Sequence, residues 1–139
     1  DIIKSIGRDA LGFIWIGADD GLMQYNGHTF HHYPQATESP FIKDFITLKD
    51  GRLLVLNDLG LVEIINQVDT VVFNTILMGT RIPTDTTIWY PKSIFEDSKG
   101  NLWIGEPQSV VRYDGHNIKR IEFGSEGNSS SFVRSCSMT

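Results

Sequence analysis

The chain has 139 residues, of which 40% are hydrophobic and 21% charged, as in ordinary soluble globular domains. A formal net charge of −5 leaves no basic surface of the kind that phosphate backbones require, which argues against nucleic acid as a partner. No run of about 18 apolar residues occurs, so the sequence contains no candidate membrane helix.

The first predicted elements are four short apolar runs separated by turn residues. They are rich in Ile, Phe, Trp and Tyr, as β-strands are, and no long window keeps a helical period. Asn26-Gly27 predicts a two-residue type I′ hairpin turn between the last two runs. We therefore predict a four-stranded antiparallel sheet with strands near 2–7, 13–17, 22–25 and 29–33.

Residues 43–69 repeat this pattern in a weaker form. Gly51 falls on Gly12, whereas Leu54 falls on Trp15, so the glycine is kept and the aromatic residue is replaced by an aliphatic one. An extra stretch at 74–91 precedes the next copy, and we expect its part at 79–91 to be an irregular insertion. Long loops on rigid scaffolds often carry recognition.

A third copy is the clearest. Residues 92–118 align with residues 4–30 without a gap and are identical at 11 of 27 positions. Asp114-Gly115 again predicts a type I′ turn. The stretch 129–139 alternates like the beginning of a fourth copy.

A unit of about 44 residues with four strands has the length and content of a β-propeller blade. We therefore predict an all-β, incomplete propeller, in which Trp15 and Trp103 fill the space between blades. The predicted boundaries are about 1–35 for blade 1, about 40–75 for blade 2, about 90–124 for blade 3 and about 129–139 for the start of blade 4.

Residues that recur at equal positions are interpreted as requirements of the fold. These structural repeat residues are Trp15, Gly17, Gly21, Tyr25, Gly27, Trp103, Gly105, Tyr113 and Gly115. Asp9, Asp50 and Asp97 precede tight turns, and we interpret all three as turn-capping carboxylates at one shared position.

The phrase Asp-x-x-Gly-x-(Ile/Leu)-Trp-Ile-Gly, followed by Tyr-(Asn/Asp)-Gly, resembles the two-component regulator propeller repeat. Such repeats fill the periplasmic sensor region of hybrid two-component histidine kinases, especially in gut Bacteroidetes. The resemblance implies a periplasmic module that detects an oligosaccharide and controls a kinase. It also implies that contact with the inner membrane comes only through regions C-terminal to these residues.

Two other functions stay open, because similar repeats also occur in propeller lyases. As alternatives to the sensor function, the chain could serve as a propeller scaffold for protein–protein interaction or form part of a propeller lyase or hydrolase. About three blades cannot close a ring, so we expect either a piece of a longer propeller or a ring completed by further copies. Both arrangements predict self-association through the open blade faces.

No catalytic constellation, cofactor motif or metal site is predicted, so we expect this segment not to be an enzyme. His31 and His32 are adjacent on a predicted strand, so they face opposite sides and, even with His28 nearby, are poorly placed to share one metal ion. Ser5 and Ser93 occupy a repeat position without a paired base.

Candidate ligand-binding residues are those that depart from the repeat. Carbohydrate sites combine aromatic platforms with a few planar polar groups in a concave site. Arg81, Trp89 and Tyr90 lie in the extra stretch, and Glu106 and Gln108 replace Ala and Asp of the first copy. We predict that these five residues contact the ligand.

Overall fold

A computed structural model describes residues 3–34, 36–37, 39, 41–82 and 84–123. Within these residues the protein is all-β, with thirteen strands in three sheets. The strands and their order confirm the predicted propeller blades. The predicted start of a fourth blade at 129–139 lies outside the described residues.

Blades 1 and 3 are four-stranded antiparallel sheets with the same strand order and the same register. Trp15 pairs with Gln24 in blade 1, and Trp103 pairs with Arg112 in blade 3. The strands of blade 1 are β1 (Ile3–Arg8), β2 (Ile14–Ala18), β3 (Gly21–Tyr25) and β4 (Phe30–Tyr33). Those of blade 3 are β10 (Ser93–Glu96), β11 (Leu102–Gly105), β12 (Ser109–Tyr113) and β13 (Ile118–Glu122).

Blade 2 differs from the prediction because it has five strands. They are β5 (Ile42–Thr47), β6 (Leu53–Asn57), β7 (Gly60–Asn66), β8 (Val71–Thr80) and β9 (Ile88–Trp89). Within the expected irregular insertion at 79–91, residues 81–82, 84–87 and 90–91 lie outside strands as expected, whereas residues 79–80 belong to β8 and residues 88–89 form β9, which pairs with β8 in parallel. The physical reason is burial: Leu77 and Ile88 enter the core against blade 3, so their segments stay within the sheet.

The predicted type I′ turns are also wrong. Tyr25 pairs with Phe30, so the connection is a four-residue loop, and only Gly27 in it has a positive φ, 98°. The Asn26 side chain accepts hydrogen bonds from the backbone N–H groups of His28 and Thr29 and so closes the loop. Asp114 caps the equivalent loop of blade 3 in the same way.

The strands β1, β5 and β10 lie at the inner edge of the blades, because β5 packs against both of the others. In a propeller these innermost strands surround the axis. Gly17 permits this approach: a Cβ there would lie 2.5 Å from Ile42 Cγ2 of the neighbouring blade. Gly17 is thus required by packing between blades 1 and 2, whereas a Cβ at the equivalent Gly105 would lie 2.8 Å from Ser93 Oγ of its own blade.

Blade 2 is covered on both faces, which explains why every residue of β6 is buried. One face packs on blade 1, where Trp15 is fully buried and contacts Tyr33 and Phe73, with ring centroids 5.4 and 5.9 Å away. The other face packs on blade 3. This second core contains Leu54, Leu56, Leu61, Leu77, Ile88, Leu102, Ile104 and Val111.

An Asp–Trp unit organises the first turn of blades 1 and 3. The Asp9 carboxylate accepts the N–H groups of Leu11 and Phe13 and the Trp15 indole N–H, each at 3.0 Å. Asp97 accepts the Trp103 indole N–H at 2.9 Å. This hydrogen bond is the main reason that the pKa of Asp97 falls to about 2.

The expectation that Asp50 shares this position is wrong. Leu48 makes the backbone turn contacts that Asp9 makes in blade 1, while Asp50 caps the turn from two residues further on. Blade 2 therefore lacks both members of the Asp–Trp unit. It has two buried leucines, Leu48 and Leu54, in their places.

A candidate ligand-binding rim

One end of the blades carries the residues that sequence analysis singled out. Ile3 pairs with Ala18, Ile42 with Asn57 and Ser93 with Gly105, so the inner strands begin beside the turns at 19–20, 58–59 and 107–108. We call this end the rim. The connector, residues 81–92, crosses it from blade 2 to blade 3 and carries β9.

Glu106 fastens the connector to blade 3. Its carboxylate accepts the Trp89 backbone N–H at 2.6 Å, the Ser109 hydroxyl, and the guanidinium of Arg120 at 2.8 Å. Arg120 also donates to the carbonyl oxygens of Thr84 and Thr87, both at 2.7 Å. This cluster, the clasp, joins β12 and β13 to the connector.

The clasp holds Glu106 ionised although its side chain is fully buried. Burial raises the pKa of Glu106, but the hydrogen bonds from Arg120, Ser109 and Trp89 together outweigh that effect and leave the pKa below its usual value. Because these hydrogen bonds occupy the carboxylate, Glu106 can influence a ligand only through the position of Trp89.

Sequence reasoning missed Arg120 and Ser109. Arg120 stands on a strand with ordinary alternation, and Ser109 replaces the repeated glycine of Gly21, so neither looks unusual alone. The sequence offers one signal, because Glu106 stands where blade 1 has Ala18. The structure shows that this carboxylate is buried, and a buried carboxylate requires a cationic partner. Only the folded sheet identifies that partner, 14 residues further along the chain.

Arg81, Trp89 and Tyr90 do lie together. Arg81 donates through Nη1 to the Tyr90 hydroxyl at 3.0 Å, and its carbonyl accepts the Trp89 indole N–H at 2.8 Å. The two aromatic rings meet edge to face, with centroids 6.0 Å apart. Both rings are partly exposed, so they offer a small aromatic surface beside a guanidinium.

Tyr90 adopts a left-handed backbone conformation with φ of 41°. Residues other than glycine rarely adopt this region, and such strain concentrates at functional positions that their surroundings hold in place. Here the bond from Arg81 and the contact with Trp89 hold the ring.

Gln108 lies on the exposed turn between β11 and β12, and its carbonyl accepts the Phe123 backbone N–H at 3.1 Å. On the other side of the clasp an open depression of about 400 Å³ is lined by Thr84, Asp85, Arg120 and Glu122. The structure thus places all five predicted residues on or next to the connector, four of them in one bonded group.

The histidines lie elsewhere. His28 is in the loop before β4, while His31 and His32 are exposed on β4, the outermost strand of blade 1. Across the described residues, no three His, Cys, Asp or Glu side chains group so that they could hold a metal ion. That part of the chain also contains no helix with the length and hydrophobicity of a membrane span.

Residues 84–106 match a family described as "two component regulator propeller". These residues run from the connector through the Trp-Ile-Gly phrase to Glu106. The chain is thus a segment of β-propeller blades that carries this repeat, and the resemblance noted from the sequence is confirmed. A comparison with curated proteins gives no match.

Solved propellers share the fold. The extracellular domain of a hybrid two-component system from B. thetaiotaomicron superposes with a TM-score of 0.67 at 18% identity, over 86% of this chain and 17% of that one. Virginiamycin B lyase from Staphylococcus aureus superposes with a TM-score of 0.61 at 18% identity, over 91% of this chain and 43% of the lyase. The chain therefore spans less than half the length of either relative.

Proposed function

We propose that this chain is part of the ligand-sensing propeller of a hybrid two-component sensor histidine kinase. In this proposal the rim binds an oligosaccharide in the periplasm, and binding controls the kinase. Two observations support the proposal. Residues 84–106 match the two component regulator propeller repeat, and the chain shares the fold of the extracellular domain from B. thetaiotaomicron.

The observation that carries the proposal is the bonded group of Arg81, Trp89 and Tyr90. Sugar rings stack on aromatic side chains, and guanidinium groups donate to several hydroxyls at once, so this group has the chemistry of a carbohydrate subsite. The clasp holds it on rigid strands, which is the support that a binding site requires.

Thermal unfolding of the protein with a panel of oligosaccharides tests the proposal. A sugar at 100 times its dissociation constant should add about 2.7 kcal/mol to the free energy of unfolding and raise the midpoint. Gln108→Ala and Arg81→Ala should weaken the shift. Asp20→Ala, which changes the position equivalent to Gln108 in blade 1, is the matched control and should preserve the shift.

A flat response of the folded protein to the whole panel would contradict oligosaccharide sensing and favour a protein-binding scaffold. Loss of the shift in Asp20→Ala alone would move the site from blade 3 to blade 1.

A lyase is the second candidate, because three of the similar solved structures are named as virginiamycin B lyase or streptogramin B lyase. Such chemistry needs a base and an acid near the bound substrate. The exposed histidines of β4 lie at the outer edge of blade 1, away from the connector. Turnover of a candidate substrate by the protein, measured by product formation, would favour the lyase.

A further inference from the structure

A lysine stands within one position of the first residue of each inner strand in all three blades. Lys4, Lys43 and Lys92 occupy equal repeat positions, followed by Ser-Ile, Asp-Phe and Ser-Ile. Blade 2 has lost the Asp, Trp and Tyr of the repeat, yet it keeps this lysine. All three lysines are exposed, so packing in the core does not account for their recurrence.

Two of the three lysines stand at irregularities of the strand pairing. The pairing of β1 with β2 shifts register at Lys4, and the pairing of β5 with β6 shifts register at Lys43. Bulges of this kind redirect a side chain and are frequent next to binding sites. Lys92 stands immediately before β10, where its backbone N–H donates to the Gly105 carbonyl at 2.8 Å.

Only one of the three charges is neutralised by a partner in the described part of the chain. Lys43 forms an ion pair with Asp58 at 3.2 Å. In blade 1 the repeat counterpart of Asp58 is Asp19, which forms no ion pair with Lys4, and in blade 3 it is Pro107, which has no charge. Among those residues, Lys4 and Lys92 therefore keep unpaired ammonium groups.

The three lysines lie at the rim, where the inner strands meet around the axis and where the connector crosses from blade 2 to blade 3. An ammonium group binds carboxylate or sulfate oxygens through charge-assisted hydrogen bonds, and neutral hydroxyls give it much less. We infer that the rim takes an anionic oligosaccharide, with Lys4 and Lys92 binding its carboxylate or sulfate groups near the axis. This inference rests on the proposed oligosaccharide function.

The test uses three tetrasaccharides as probes: one of galacturonic acid, one of sulfated galactose and one of neutral galactose. Calorimetric titration should detect binding of at least one anionic probe with an affinity at least tenfold higher than that of the neutral one. The affinity for that probe should fall as the salt concentration rises. Either anionic probe supports the inference, and the comparison of the two separates carboxylate from sulfate recognition.

Two double variants that lose the same amount of positive charge test the role of Lys4 and Lys92. Lys4→Gln with Lys92→Gln should lower the affinity for the anionic probe at least tenfold. Lys99→Gln with Lys119→Gln removes two exposed lysines from a loop at the other end of blade 3 and from its outermost strand, and should change the affinity less than twofold. Thermal midpoints without probe establish that both variants fold.

Four results would overturn the inference in distinguishable ways. If both double variants lower the affinity for the anionic probe equally, the lysines act only through the overall charge. If sodium sulfate raises the thermal midpoint as much as the anionic probe does, the protein recognises the anion and not the sugar. Tight binding of the neutral tetrasaccharide, unchanged in the Lys4/Lys92 variant, would leave oligosaccharide sensing standing and reject the anionic class. Failure of every probe to bind the folded protein would reject the anionic class inferred here, while the oligosaccharide panel described above tests the proposed function separately.

Discussion

Trp15 and Trp103 stand at the same place in the same repeated phrase, yet their surroundings differ. Trp15 is fully buried between blades 1 and 2, whereas Trp103 is partly exposed on the face of blade 3 that points away from blade 2. Both indoles donate to an aspartate of the preceding turn. The comparison teaches that the repeat specifies the local turn, while the neighbouring blade determines how much the tryptophan contributes to stability.

Phe95 supports this interpretation. It pairs with Trp103 and is 63% exposed, so this face of blade 3 presents two large aromatic residues that no sheet covers within the described part of the chain. On the open face of blade 1, Ile6 is 64% exposed. These are the faces through which we proposed self-association or contact with further blades.

A second difference between blades 1 and 3 lies three residues after each tryptophan. Blade 1 has Ala18 there, which is fully buried, and blade 3 has Glu106, which is buried with an ionised carboxylate. Only blade 3 receives the connector, so only blade 3 needs an acceptor for the connector's backbone N–H groups and a charged partner for Arg120.

The largest expected effect comes from replacing the two tryptophans. Trp15→Ala should lower the free energy of unfolding by about 3 to 5 kcal/mol, because it leaves a large cavity between two blades. Trp103→Ala should cost about 1 kcal/mol, because one side of the ring already faces solvent. Urea unfolding of both variants measures the difference. Equal losses in the free energy of unfolding would contradict the unequal contribution of the two tryptophans.

Glu106→Gln should have the next largest effect. Removing this charge leaves the guanidinium of Arg120 buried without its counterion, which should cost about 3 kcal/mol. Glu63→Gln is the control, because its partner Arg52 is 45% exposed and this solvated pair should contribute about 1 kcal/mol or less. Urea unfolding at neutral pH measures both losses.

The same variant predicts a pH dependence. Because the pKa of Glu106 is lowered in the folded protein, its stabilising contribution is present above the unfolded pKa and is lost as the pH falls through the folded value. The stability difference between parent and Glu106→Gln should therefore narrow below about pH 4. A difference that stays constant down to pH 2 would contradict an ionised, clasped Glu106.

The smallest expected effect concerns the loop that blade 2 builds without glycine. Val68 has φ of 70° at the position of Gly27 and Gly115, and its side chain is 68% exposed. Val68→Gly should raise the free energy of unfolding by about 0.5 to 1 kcal/mol, because relief of backbone strain exceeds the added entropy of the unfolded chain. Gly27→Val is the reverse control and should destabilise; stabilisation there would contradict this reason.

Much of the fold could be predicted from the sequence because the signals are local and repeated. Alternating apolar residues and turn glycines identified the strands of blades 1 and 3, and the alignment of Trp15 with Trp103 predicted their equal register. Blade 2 was less predictable. In blade 2 Leu48 occupies the turn position that an aspartate occupies in blades 1 and 3, so the sequence does not indicate this turn. The strands β8 and β9 form because Leu77 and Ile88 pack in a core that belongs partly to blade 3.

The candidate site divides in the same way. Departure from the repeat was enough to single out Arg81, Trp89 and Tyr90. It was not enough to find Arg120, or to show that Glu106 is buried, because both facts depend on which strand lies beside the connector.

The sequence by itself determined the blade: its four-strand unit, its Asp–Trp turn and its capped loops, since these depend on contacts within about 30 residues of chain. The tertiary structure decided which face of each blade is covered, which strands border the axis, and that Lys4, Lys43 and Lys92 share one end of the molecule. The reason is that an inter-blade contact joins residues about 40 to 90 positions apart, and no local pattern encodes what will lie opposite a given side chain.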